Sequence, residues 1–105
     1  MKPKSVPIEL DGKTYHLAYD LNALMKLGEE VKLNLVKPEG WKALGEEITF
    51  RKIRAIVWAG LLRENSQITL DEVGAMLDPM NLQAAIVAYT EAFRVDDDAP
   101  KVAAA

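Results

Sequence analysis

Residues 55–62 read Ala-Ile-Val-Trp-Ala-Gly-Leu-Leu, eight apolar residues in succession, inside a segment otherwise patterned as an amphipathic helix that opens at Thr49. Such a run exceeds two helical turns and leaves no polar side. A helix apolar all the way round must be covered all the way round, or it leaves a face for another molecule. At 105 residues and 11.6 kDa the chain has room for one domain and one core, so few other elements are available to do the covering. The run is also too short to cross a bilayer, which takes about 20 residues. These constraints point to a protein that acts through contact with another protein rather than through chemistry.

The inventory of reactive side chains leads to the same expectation. Half of the residues are hydrophobic (50%) and 28% are charged, as in ordinary globular domains. A net charge of −3 and a pI near 5.1 give no general attraction to nucleic acid or to an anionic membrane. Cysteine is absent, which excludes a disulfide scaffold, a thiolate nucleophile and Cys-ligated zinc or iron–sulfur sites. His16 is the single histidine, so neither a His/His metal site nor a histidine-based triad has company nearby; it reads as a solvated strand residue. Glu29-Glu30, Glu46-Glu47 and Asp96-Asp97-Asp98 are neighbours in sequence and read as solvated surface, not as carboxylates facing across a cleft. The glycines are scattered, without the spacing of a phosphate-binding loop. The expectation is a non-enzyme with no cofactor and no metal. The positively charged start, Met-Lys-Pro-Lys-Ser, leads into alternating rather than continuous apolar residues and does not read as a signal peptide.

Local signals predict an α+β fold, an N-terminal β-hairpin packed on a bundle of about four to five short helices. Asp11-Gly12 suits a type I′ turn, which needs positive φ at both central positions. Closing the hairpin there pairs Leu10 with Lys13, Ile8 with Tyr15 and Val6 with Leu17. Val6, Ile8, Tyr15, Leu17 and Tyr19 then share the inward face, with Glu9, Thr14 and His16 opposite. Pro7 cannot donate a ladder bond, which makes the first strand an edge. Asp20 caps a helix with Leu21, Leu24, Met25, Leu27 and Val31 as its core stripe, ending near Leu33 or Asn34. A connector with one or two helical turns follows, with Pro38 in its first turn, Trp41 and Leu44 on one face and Gly45 closing it. Thr49 caps the long helix, which runs to about residue 63. Thr69 and Glu72 form a capping box for a short helix ending at Leu77. Asp78-Pro79 starts the last helix, with Leu82, Ala85, Ile86, Tyr89 and Phe93 inward and Arg94 at its negative end. Residues 1–94 are thus one domain, and 95–105 read as a disordered acidic and alanine tail.

A tight junction at Asp78-Pro79 gives the last two helices the outline of a helix-turn-helix, but the second carries Glu91 and no Lys or Arg before Arg94, so it can neither hold phosphates nor read guanine. The small basic cluster Arg51, Lys52 and Arg54 opens the long helix and reads as a solvated face. Protein contact remains. Trp41, Trp58, Leu62, Met76 and Met80 are the large or adaptable apolar residues outside the obvious stripes, and they are the candidate partner-binding residues.

The order of these features resembles a known family. The strand pair Val-Pro-Ile-Glu-Leu-Asp-Gly-Lys-Thr-Tyr-His-Leu, the helix after Tyr-Asp-Leu-Asn-Ala-Leu, the segment Ile-Arg-Ala-Ile-Val-Trp-Ala-Gly-Leu-Leu and the capped Ile-Thr-Leu-Asp-Glu-Val-Gly are similar to the tail assembly chaperones of long-tailed bacteriophages, including the small tail proteins of gene transfer agents. The resemblance spans roughly residues 5 to 94. It implies a non-enzymatic protein of the host bacterial cytoplasm that coats the tape-measure protein and helps tail-tube subunits polymerise around it, with self-association on the client and no nucleic acid or membrane partner. A structural tail or connector subunit of the virion and a small phage regulatory protein are the alternative readings.

Overall fold

In the computed structural model residues 4–93 are described, and the tail expected after residue 94, like Arg94 itself, lies outside them. Asp11 and Gly12 both take positive φ, 53° and 81°, the backbone a two-residue turn needs and one that glycine reaches without steric cost. That turn joins β1 (Ser5–Leu10) to β2 (Lys13–Ala18) in the register the pattern predicts, with Leu10 opposite Lys13, Ile8 opposite Tyr15 and Val6 opposite Leu17. Ile8, Leu10 and Leu17 are buried, while Glu9, Thr14 and His16 face out. Two strands alone are marginal in water. Here the inner face lies on helices.

Five helices follow: α1 (Leu21–Val31), α2 (Pro38–Glu46), α3 (Phe50–Leu61), α4 (Leu70–Met76) and α5 (Leu82–Phe93). Their starts are fixed by side chains that satisfy orphan backbone N–H groups. Asp20 Oδ1 accepts from the Ala23 N–H at 2.9 Å and Thr49 Oγ1 from the Lys52 N–H at 3.1 Å. Thr69 and Glu72 complete the capping box in both directions. Asp78 accepts from the N–H groups of Met80 and Asn81, but the residues after it form a turn and the regular helix begins only at Leu82, three residues beyond Pro79. Pro38 sits in the first turn of α2 as expected, whereas Gly45 lies inside that helix instead of closing it.

The all-apolar helix is the axis of the molecule. On α3, Ile53, Ala55, Ile56, Val57, Ala59, Gly60 and Leu61 are buried, and α1, α4, α5 and β2 all pack against it. Of the two outcomes that the all-apolar run left open, cover by its own chain or a face for another molecule, the first holds: residues 55–62 are buried except for the half-buried Trp58 and Leu62. Gly60 shows how close they come, since a Cβ there would stand 2.7 Å from the Tyr19 ring. The Tyr19 hydroxyl donates to the Ile56 carbonyl at 2.7 Å, and its ring stacks obliquely on Phe93 with centroids 4.4 Å apart.

A further correction concerns α1. It ends at Val31, not at 33 or 34, because Lys32 takes a left-handed conformation (φ 59°, ψ 44°) and its N–H returns to the Gly28 carbonyl. Its buried residues are Ala23 and Leu27, whereas Leu21 and Met25, assigned to the core stripe, are 72% and 57% exposed. The helix is rotated so that half of its apolar arc faces outward.

Candidate functional site

The candidate partner-binding residues take up different parts of the molecule. Trp41 is half-buried: its indole N–H donates to the Leu35 carbonyl at 2.7 Å, and its ring meets Phe93 edge-on at 5.2 Å. Trp58, also half-buried, donates to the Ile68 carbonyl at 3.0 Å and so ties α3 to the turn before α4. Leu62 and Met76 are half-buried against the core. Leu62 lines a recess with Asp20, Lys26 and Arg63, where Arg63 Nη1 donates to Asp20 Oδ2 at 3.1 Å. Met80 alone stands in solvent, 90% exposed. The five do not converge on one recess.

Two apolar recesses lie elsewhere. The larger, about 430 Å³, runs along the outer side of α1 and is floored by Leu21, Leu24, Met25 and Gly28 on one side and Leu33, Leu35 and Val36 on the other, with Glu29 and Asn34 at its edge. Val36 projects from it, 92% exposed. Trp41 serves this recess indirectly, since its indole N–H holds the backbone of the segment that forms the far wall. The second, about 320 Å³, opens where α3, α4 and the α4–α5 turn meet, and is lined by Phe50, Leu77, Pro79 and Leu82 with Gly74, Arg54 and Asp78. Phe50 at its rim is 78% exposed. The stem of Arg54 passes over Gly74, and its Nε is covered by protein with no hydrogen-bond partner among the described residues. Asp78 Oδ1, on the same wall, is already taken by two backbone N–H groups.

None of the residues Leu21, Met25, Val36 or Phe50 stood out as a partner-binding candidate in the sequence, although one signal was legible. At about 100° per residue, Ala23, Leu27, Val31, Leu24, Gly28, Leu21 and Met25 cover about 200° of the α1 circumference, twice the stripe of about 100° that one core contact uses. The excess had to face something other than the core.

The basic cluster also divides by role. Lys52 Nζ donates to the carbonyls of Ala43 at 3.0 Å and Glu47 at 2.8 Å, where it caps the C-terminal end of α2 as a cation suits a negative helix end. His16 is exposed but engaged. Its backbone N–H reaches Glu64 Oε1 at 3.0 Å and its Nδ1 lies 2.9 Å from Glu64 Oε2. A carboxylate only accepts, so Nδ1 carries the proton. These hydrogen bonds from the His16 ring and backbone hold the Glu64 carboxyl below the usual carboxylate range. The pair straps β2 to the end of α3. Among the described residues no group of three His, Asp or Glu side chains could hold a metal ion, and no helix is long and apolar enough to cross a membrane.

No family model, curated protein or solved structure matches the chain.

Proposed function

We propose that this protein is a tail assembly chaperone of long-tailed bacteriophages, a non-enzymatic protein of the host cytoplasm that holds apolar helical segments of the tape-measure protein while tail-tube subunits assemble. One observation carries the reading. The core is closed by the chain's own elements, yet Leu21, Met25, Val36 and Phe50 are left exposed in the linings of two open apolar recesses. Exposed apolar surface of this kind marks a place where another chain sits. The α1 recess suits an amphipathic helix, which binds by a few apolar anchors at successive turns. Met25 supplies an adaptable contact there, and an open, shallow site favours the modest affinity that a displaceable chaperone needs.

The test is co-expression with a tape-measure protein, which this reading expects to be the very long helical protein encoded just downstream of this chain. Co-purification is expected from the wild type and its loss from Met25→Glu and Val36→Asp, both of which replace exposed side chains. No tape-measure protein retained by the wild type would overturn the client. Recovery of the chain as a stoichiometric component of purified particles would instead make it a virion subunit, and salt-dependent retention on DNA would make it a regulatory protein.

A further inference from the structure

We propose that the α1 recess opens by a hinge: residues 34–46, which carry α2 and most of the far wall, swing outward as one body, with Lys52 as the latch. The motion builds on the reading of that recess as the client's seat. At about 430 Å³ the recess takes a few side chains, whereas a helix measures about 10 Å across with its side chains. A helical segment seats fully only if one wall gives way.

Packing decides which wall. Every other strand and helix lies along a neighbour, α1, α4, α5 and β2 along α3, and β1 along β2 and α5. Helix α2 has no such partner, its N-terminus carries no side-chain cap, and Leu44 is its one buried side chain. Elements with so few buried apolar contacts open at free energies below that of global unfolding. Within residues 34–46, by contrast, the chain is braced. The Trp41 indole N–H holds the Leu35 carbonyl, the Lys37 N–H reaches the Asn34 carbonyl at 3.3 Å, and a Cβ at Gly40 would overlap that same carbonyl. Leu35 and Val36 of the recess wall therefore travel with α2. Hinges are a few element-terminal residues that absorb the change in φ and ψ, and both ends of the body have them: Lys32, left-handed at the close of α1, and Glu47, extended after α2. Three ties hold the body shut. They are Leu44 in the core, the edge-on contact of Trp41 with Phe93, and the Lys52 ammonium of α3 on the carbonyls of Ala43 and Glu47. The Lys52 bonds are charge-assisted, and they come from a half-exposed side chain whose removal leaves the core intact.

The experiment is native-state hydrogen exchange of the full chain, read by mass spectrometry in increasing, sub-denaturing urea. Amides of α2 are expected to exchange ahead of those in α1 and α3 and with a shallower urea dependence, because a partial opening exposes less surface than unfolding. Lys52→Met keeps the stem and removes the donors. It is expected to speed α2 exchange by about fivefold or more while residues 53–61 of α3 hold their rates. It is also expected to tighten binding of a retained tape-measure protein, since a larger open fraction lowers the apparent Kd. An α2 with no protection in the wild type, a urea dependence in α2 equal to that of α3, α2 rates unmoved by Lys52→Met, or equal acceleration throughout the chain would each overturn the hinge. Faster opening with no gain in client affinity would overturn its link to the recess. Opening as described in a protein that retains no tape-measure protein supports the hinge while removing the client.

Discussion

Lys32 holds a backbone conformation that costs an L-residue with a side chain about 1–2 kcal/mol, and it does so to close α1 by returning its N–H to Gly28. Glycine would remove that strain but add about 0.5–1 kcal/mol of unfolded-state entropy. The difference leaves Lys32→Gly more stable by about 0.5 kcal/mol, read as a higher urea midpoint with an unchanged slope. Two tyrosines make a sharper comparison. The Tyr19 hydroxyl donates to Ile56, whereas the Tyr89 hydroxyl is buried with no partner among the described residues. Tyr19→Phe removes a hydrogen bond from a carbonyl that the α3 backbone still satisfies and should cost about 1 kcal/mol, while Tyr89→Phe should be neutral or stabilising. Burial raises both phenol pKa values, that of Tyr19 well above the ordinary 10.0, with the charge of Tyr89 adding to it. Since the folded values lie above the unfolded one, this contribution to stability is complete below pH 10 and is lost as pH rises from there through the folded values. Phenolate absorbance should accordingly lag behind that of the unfolded chain; full ionisation at the free-tyrosine midpoint would contradict the burial.

At the scale of elements, legibility followed how locally each feature is determined. The hairpin register was readable from Asp11-Gly12 because a turn of two residues fixes every pair beyond it, and the period of two then decides the inward face. Thr49 and Thr69 were readable for the same reason: a cap acts over three residues. The rotation of α1 was not, because its apolar arc is wide enough to serve two orientations and the choice falls to how it packs on α3. The strap between β2 and the end of α3 was also hidden, since His16 and Glu64 are 48 residues apart. It has a measurable signature. The folded Glu64 carboxyl is held below its ordinary value of 4.5, chiefly by the His16 ring and then by the His16 backbone, so its contribution is present above that pH and lost as pH falls through the folded value. Glu64→Gln should lower stability near pH 7 and flatten its acid-side loss. The effect is small, because both partners are about half exposed. Equal acid sensitivity in wild type and variant would show that the strap contributes nothing.

For the whole molecule, an all-apolar helix signalled either a buried axis or a binding face, and sequence could not choose between them because the choice depends on how many neighbours arrive. Four did: α1, α4, α5 and β2. The exposed apolar side chains consequently lie outside the all-apolar run, as Leu21 and Met25 on α1, Phe50 at the start of α3 and Met80 before α5. The candidate residues chosen from the sequence separate on the same ground. Trp58 bonds Ile68 and packs against the core, whereas Met80 meets solvent. Trp58→Ala removes a large side chain and a bond between elements, and it should cost about 3 kcal/mol, toward the low end for such truncations because the ring is only half-buried. Met80→Glu should stay within about 0.5 kcal/mol of the wild type, as exposed substitutions do. Chemical denaturation of the two variants checks the division. A Met80→Glu protein as unstable as Trp58→Ala would place Met80 in the core and remove it from any surface that another chain could use.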